Sequence, residues 1–368
     1  MKTVFVHDTT FIKYNNNYYA KDGLDEEVFN MYKKYFGNVF VVSRYEEVFD
    51  KNNPYVRKEN IISSASFCCG KSFIDSIRLL KNNIKTSDFV ILRVHSFNSV
   101  IAFYYILKYK KLYMVESVSC AWDCLWYHSL KGKILAPFMY IITKIIVSSA
   151  SYVTYVSEFL KRRYDTKHDF LICSDVRLNN NVKIKSSFNK KLKLCTIANV
   201  DVKYKGHAYV IKALSFLKKN NIFFDYYLVG GGSGIKLKKL IKKYGLDDYV
   251  HFVGPIPHQN IFEYLKNIDI YIQPSDAESH GRVILEAQSV GVPVISSSTG
   301  GMPEIINEKF VFKKKNYKSL SEKLIDMISN DNLIYQKKWS LENANKFMPY
   351  VLNKKRSEFY EKIEKRIL

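Results

Sequence analysis

The chain has 368 residues, 47% of them hydrophobic and 25% charged, the composition of a globular protein about two domains long. Its formal net charge is +22, and the excess is spread, with 28 basic against 17 acidic residues in 1–190 and 29 against 18 in 191–368. So even a spread, with no recognition-module signature, argues against nucleic acid as partner and leaves an anionic substrate, an anionic membrane surface or plain surface solvation to account for it.

Taken in order, the first half alternates strands and helices. A buried strand is expected at 3–6; its apolar run is too short for a secretory signal, and no later stretch reaches the roughly 18 apolar residues of a membrane span, so a cytoplasmic place is expected. HDTTFIKYNNNYYAKDG (7–23) reads as a long polar, tyrosine-rich loop whose aromatics either stack on sugar faces or serve no function. Then come a helix at 24–35, a strand at 39–42, a helix at 73–80 and a strand at 89–94 ending at His95. A helix near 100–107 and a strand at 112–115 follow, the latter leading into Glu116 and CAWDCLWYHSLKGKILAP. Glu116 and Asp123 are candidate contacts for acceptor hydroxyls, and Trp122 and Trp126 form either a stacking wall or core. The apolar stretch 131–148, flanked or interrupted by Lys131, Lys133 and Lys144, has two readings: a helix lying on a membrane, or a helix packed on the sheet before the strand at 152–156. The pattern is that of a doubly wound parallel α/β domain. The six cysteines show neither a CxxC pair nor zinc spacing, and are read as reduced thiols.

Polar SDVRLNNNVKIKSSFNKK (174–191) reads as the linker to a second doubly wound domain. That domain opens with a strand at 192–198, the loop NVDVKYKGH and a helix at 208–217. The strand and glycine turn YYLVGGGSG (226–234), a helix at 235–244 and a strand at 251–253 come next. Helices are expected at 320–328 and 350–367. Most informative is YIQPSDAESHGRVILEAQSVGVPVISSSTGGMPE (271–304): a strand to Gln273, a polar loop, a helix at 282–290 stopped by Gly291, and the next strand. The loop sits at the carboxyl end of a parallel strand, where open α/β sheets bind ligands. The free N–H groups of Gly281, Arg282 and Val283 open the helix and attract phosphate. Glu286, about a turn further in, is placed to accept hydrogen bonds from ligand hydroxyls, and Glu278 to face a reacting group. A helix start for a pyrophosphate with carboxylates for hydroxyls suggests a nucleotide sugar.

These residues, with Lys205-Gly206, the glycine turn and YVHFVGPIPHQNIFEYL (249–265), resemble the donor-site signature of the family 4 glycosyltransferases, the retaining enzymes of the GT-B fold. The likeness is dense over about 191–310 and loose elsewhere. It implies two Rossmann-like doubly wound domains facing a cleft: an acceptor domain at 1–175, a nucleotide-sugar donor domain at 176–345, and a C-terminal helix at 346–368 crossing back onto the first. It makes Glu278 and His95 the catalytic candidates. The donor contacts it implies are Lys205, Gly230, Gly232, Ile256, Ser279, His280, Gly281, Arg282, Val283 and Glu286, with Lys205 facing the pyrophosphate. The arginine usual five positions before that lysine is replaced by Val200, and the glycine pair usual after the first strand is missing. No metal is required, because Lys205 takes over the charge of a divalent ion, and no cofactor beyond a UDP- or GDP-linked sugar is implied. The segment around 122–137 is similar to bacterial polysaccharide-assembly transferases, which implies a glycan or lipid-linked glycan acceptor and peripheral work at the inner membrane face. A nucleotide-sugar epimerase and a nonenzymatic nucleotide- or glycan-binding subunit are the competing readings.

Overall fold

The first strand does not stop at Val6: β1 runs over Lys2–Tyr14 and turns back into β2, Asn17–Tyr19. The expected loop is therefore a hairpin. Asn15 and Asn16 make its two-residue turn at φ 45° and 64°, left-handed backbone that asparagine tolerates better than most residues. Two of its aromatics, Phe11 and Tyr19, are core, and Tyr18 stacks on Phe67 with ring centroids 4.2 Å apart.

The computed structural model describes residues 1–21, 23–70, 73–178 and 191–367. Most of the expected linker, 179–190, lies outside the described residues. The chain divides into two units, the first formed by Met1–Val156, Leu160–Cys173 and Lys354–Leu368, the second by Ser157–Phe159 and Ser174–Asn353.

The sheet of unit 1 continues through β3 (Asn38–Glu47), β4 (Ile61–Ile62), β5 (Ala65–Phe67), β6 (Phe89–Val94), β7 (Leu112–Ser117), β8 (Tyr152–Tyr155) and β9 (Asp169–Ile172). Its parallel part runs β5-β3-β1-β6-β7-β8-β9, while β2 pairs antiparallel with the far end of β1 and β4 antiparallel with β2. The register against β3 jumps from Val6↔Val42 to Thr10↔Arg44, so residues 7–9 bulge out where β1 leaves β6. The bulge has a use. Asp8 accepts from the N–H groups of Phe97 at 2.6 Å and Asn98 at 3.1 Å, and with the N-cap Ser96 it starts the helix Phe97–Tyr109.

The stretch 131–148 is the helix Leu130–Ser148, and it does pack on the sheet: Ala136, Met139, Ile146 and Val147 are buried, and the Tyr113 hydroxyl donates to the Ile146 carbonyl at 2.9 Å. Its other face is taken up below. Among the described residues no helix is long and apolar enough to cross a membrane. The C-terminal helix Pro349–Ile367 ends in unit 1, where Phe359, Tyr360 and Ile363 join the core around Phe5, Phe29 and Phe36.

Unit 2 holds β10 (Leu192–Ile197), β11 (Phe224–Val229), β12 (Val250–Gly254), β13 (Ile270–Gln273), β14 (Val294–Ser297) and β15 (Val311–Phe312), all parallel in the order β12-β11-β10-β13-β14-β15. Leu194, Tyr226, Leu228, Ile270, Ile272 and Ile295 are wholly buried on one face and Cys195, Val229 and Tyr271 are buried on the other, so both faces of the sheet are covered. Strand order reverses between β10 and β13, which makes the crevice beyond their carboxyl ends the ligand-binding position of such a sheet. The same reversal occurs in unit 1 between β1 and β6. The helix Asn330–Asn345, polar along much of its length, had no counterpart in the sequence reading.

Candidate active site

Two loops leave the switch point of unit 2, 198–206 after β10 and 274–281 after β13, and they touch backbone to backbone. Gly206 has φ 78°, and a β-carbon there would stand 2.0 Å from the Pro274 carbonyl oxygen. From the other side Gly300, at φ 58°, leaves room for the Glu278 carbonyl oxygen, which a β-carbon would approach to 1.6 Å. Only glycine fits either place. The side chains on these loops are thereby fixed relative to one another.

Lys205 and Glu278 meet across this contact, Nζ to Oε2 at 3.0 Å, both partly open to solvent. Gly281, at φ 86°, caps the helix Arg282–Ser289, whose first N–H groups face out of the sheet edge. Arg282 is exposed and Val283 half-buried, so backbone rather than side chain is what this turn offers an anion. Glu286, only 4% exposed, lies inside the helix with one oxygen 3.2 Å from His258 Nε2. That carboxylate raises the pKa of His258 through the hydrogen bond. The two carboxylates named from the sequence thus each hold one cationic or protonatable partner.

The glycine turn stands beside them. Gly230 donates to the Gly254 carbonyl at 2.9 Å, which brings Gly254 and the half-buried Ile256 alongside it. Asp201 ties the turn to the β10 loop by accepting from Ser233 N at 2.7 Å and Gly234 N at 2.9 Å, and these bonds hold its carboxyl below the usual range. Gly232 sits over Asp201, at φ 122°. Neither Asp201 nor His258 was singled out from sequence. Asp201 carried a signal, an Asp four residues before the loop lysine, whereas His258 is one of two histidines on that surface and nothing local marks it.

Two of the expected donor contacts have partners within unit 2. The His280 side chain is buried, bonded through Nε2 to Ser174 Oγ at 2.6 Å and packed near Phe347, and burial lowers its pKa. It braces the loop as a neutral ring. Ser279 contributes its carbonyl to Ser157 Oγ at 2.9 Å, again a loop support.

Unit 1 has its own polar group at its switch point. His95 follows β6, its Nδ1 3.0 Å from Ser119 Oγ, and burial lowers its pKa. The bulge in β1 adds His7, which sequence reading missed inside an apparent loop. His7 Nδ1 accepts from Thr9 N at 3.0 Å, and burial together with the charge of Arg93 pushes its pKa down to about 3. It is a neutral ring with its proton on Nε2. Glu116 is corrected: it lies in β7, 5% exposed, with one oxygen accepting from the Tyr32 hydroxyl and the other 3.0 Å from Arg93 Nη1. Both oxygens are spent inside the core and neither faces an acceptor. Asp123 is half-buried in the first turn of Ala121–Trp126. Trp122 and Trp126 stack on each other at 5.0 Å with planes 15° apart.

Comparison with known proteins bears on the fold and the family. Residues 179–346 match the family described as glycosyl transferases group 1. Protein CapJ of Staphylococcus aureus is 32% identical over 365 residues, 96% of this chain and 92% of the relative. The amylovoran biosynthesis glycosyltransferase AmsK of Erwinia amylovora is 34% identical over 133 residues, 34% of this chain and 32% of its own. Among solved structures, Anabaena Alr3699/HepE in complex with UDP and glucose superposes with a TM-score of 0.73 at 14% identity, covering 98% of this chain and 99% of that one. Sucrose-phosphate synthase from Thermosynechococcus elongatus does so at 0.71 and 14%, covering 98% of each chain. At such identity the structures speak for the fold, two Rossmann-like units of the GT-B type, while the full-length relative and the family match speak for descent: the chain belongs to the group 1 glycosyl transferases and is a glycosyltransferase.

Proposed function

We propose that this transferase moves a sugar, with retention, from a UDP-sugar to a hydroxyl of a lipid-linked glycan during surface polysaccharide assembly, working at the inner face of the membrane. The observation that carries the reading is the placing of Lys205, Glu278, Glu286 and the Gly281 helix start on one edge of one sheet. Charge grows on the leaving diphosphate in the transition state. The N–H groups of Arg282 and Val283 meet that charge already oriented, and Lys205 adds its ammonium when the donor binds. Lys205 leaves Glu278 to do so, which releases the Glu278 carboxylate to hold sugar hydroxyls and stabilise an oxocarbenium-like centre. Glu286 accepts from nucleotide hydroxyls, and the backbone at Gly254–Ile256 borders the base. In unit 1, His95 and His7 are neutral rings that hydrogen-bond acceptor hydroxyls without adding charge.

UDP is favoured over GDP by the likeness to the HepE complex, and polysaccharide assembly by the likeness to AmsK, an amylovoran biosynthesis glycosyltransferase. The test is product analysis with UDP-sugars and a lipid-linked glycan, the new anomeric centre assigned by NMR. Free UDP with a glycosylated acceptor of unchanged anomeric configuration is expected; an isomerised sugar nucleotide, or no turnover with any donor, overturns the reading. Glu278→Gln should depress turnover well beyond its effect on UDP binding, and full activity in that variant removes Glu278 from the mechanism.

A further inference from the structure

The helix Leu130–Ser148 buries one face on the sheet, yet its opposite face is not polar. Ile134 is 83% exposed, Phe138 and Ile141 each 58%, and Ile145 48%, at the spacing of one helical stripe. The helix Phe97–Tyr109, packed beside it, exposes Tyr104 and Leu107 as well. Isolated apolar side chains on a surface need no explanation, but a stripe of large ones along one helix, with more on its neighbour, does.

The charges decide what fits it. Neither helix contains an Asp or Glu, while Lys108, Lys131, Lys133 and Lys144 are all exposed on them. Aliphatic side chains edged by flexible ammonium groups match a bilayer whose headgroups are anionic: the stripe enters the acyl boundary and the lysine stems let their charges reach phosphate. A protein partner would need a complementary shape, whereas a bilayer conforms to the stripe. At 19 residues with a buried inner face, the helix lies on such a surface and does not cross it. We infer that the outer face of the helices Phe97–Tyr109 and Leu130–Ser148 is a docking surface for anionic phospholipid. The inference rests on the proposed lipid-linked acceptor only in giving docking a purpose; its geometry is independent of the donor site.

The experiment is cosedimentation of the full chain with vesicles of phosphatidylcholine alone or mixed with phosphatidylglycerol, across a salt series. Binding to the mixed vesicles at low salt, weakening as salt rises, is expected. Ile134→Ser with Ile141→Ser should cut it at least about tenfold, and Lys131→Gln, Lys133→Gln and Lys144→Gln roughly fivefold per lysine. All five positions are exposed, so circular dichroism and UDP binding should stay as in the parent. Wild-type protein that ignores anionic vesicles at low salt, or apolar variants that bind like wild type, overturns the inference. So does a wild-type dimer in sedimentation velocity that the apolar variants dissolve, which would give the stripe to a second copy. Vesicle binding together with transfer to soluble glycans only would leave the docking surface standing and sink the lipid-linked acceptor.

Discussion

Replacing Glu116 by alanine removes a carboxylate that is 5% exposed and serves two partners, the Tyr32 hydroxyl and Arg93 at 3.0 Å. Breaking a buried pair by deleting one side costs about 3–5 kcal/mol. The lower end, about 3 kcal/mol, applies because the Arg93 side chain keeps 15% of its exposure and so part of its hydration. The Tyr32 phenol cannot relieve the loss by ionising, since burial holds its pKa far above the usual value. With a urea dependence of roughly 2 kcal/mol per molar for a unit of this size, the midpoint of unit 1 should fall by about 1.5 M. Trp122 and Trp126 lie in unit 1 and Trp339 in unit 2, so tryptophan fluorescence in a urea titration is weighted to the unit that should respond. Glu116→Gln, which keeps an acceptor for Tyr32 and loses only the charge, should cost less than half as much. A Glu116→Ala protein with an unmoved midpoint and failed transfer would refute the argument and return Glu116 to the acceptor side.

Lys205→Ala should weaken UDP binding by roughly tenfold or more while changing uridine binding little, because a charge-assisted bond of about 1.5–3 kcal/mol to phosphate is lost; equal losses in calorimetry would mean the lysine only supports its loop. UDP affinity should rise as pH increases through the raised pKa of His258, since the imidazolium that pairs with Glu286 in the unliganded protein gives up its proton and frees the carboxylate. The stability from that pair runs the opposite way, full below the ordinary histidine range and lost as pH climbs through the raised value; a UDP affinity whose pH profile is the same in His258→Ala as in wild type would dismiss the competition. Gly300→Ala should abolish UDP binding by forcing the Glu278 loop aside, given the 1.6 Å approach; normal UDP binding and turnover in that variant would show the loop contact to be dispensable.

What could be read in the sequence was whatever one βαβ unit contains. Glu278, Gly281 and Glu286 lie within nine positions, their strand, turn and helix have distinct local patterns, and the structure keeps them on one edge. The central strands of both sheets were legible for the same reason, as short β-branched runs between turn residues, whereas the short strands β2, β4, β5 and β15 and the edge strand β9 were not. What escaped depends on partners far along the chain. Glu116 looked like a loop acid after a strand because Tyr32 and Arg93, which bury it, come 84 and 23 positions away. The hairpin at Asn15-Asn16 was hidden by polarity that usually means loop, and His7 with it, since the bulge exists only against the register of β3. His258 finds Glu286 by the packing of two helices. His280 is the converse, a residue inside a strong motif whose side chain turns inward.

The C-terminal helix makes the first unit the last to be finished. Phe359, Tyr360 and Ile363 belong to the aromatic core around Phe5 and Phe36, so during vectorial synthesis the amino-terminal unit waits with that pocket open until these residues have left the ribosome. By then every residue of unit 2 up to Asn353 has emerged and is free to fold. An exposed aromatic pocket held open through translation is a chaperone substrate and a protease target. A released chain truncated before residue 359 should therefore present a folded carboxyl-proximal unit tethered to an unfinished amino-terminal one, the reverse of the order in which the two were made.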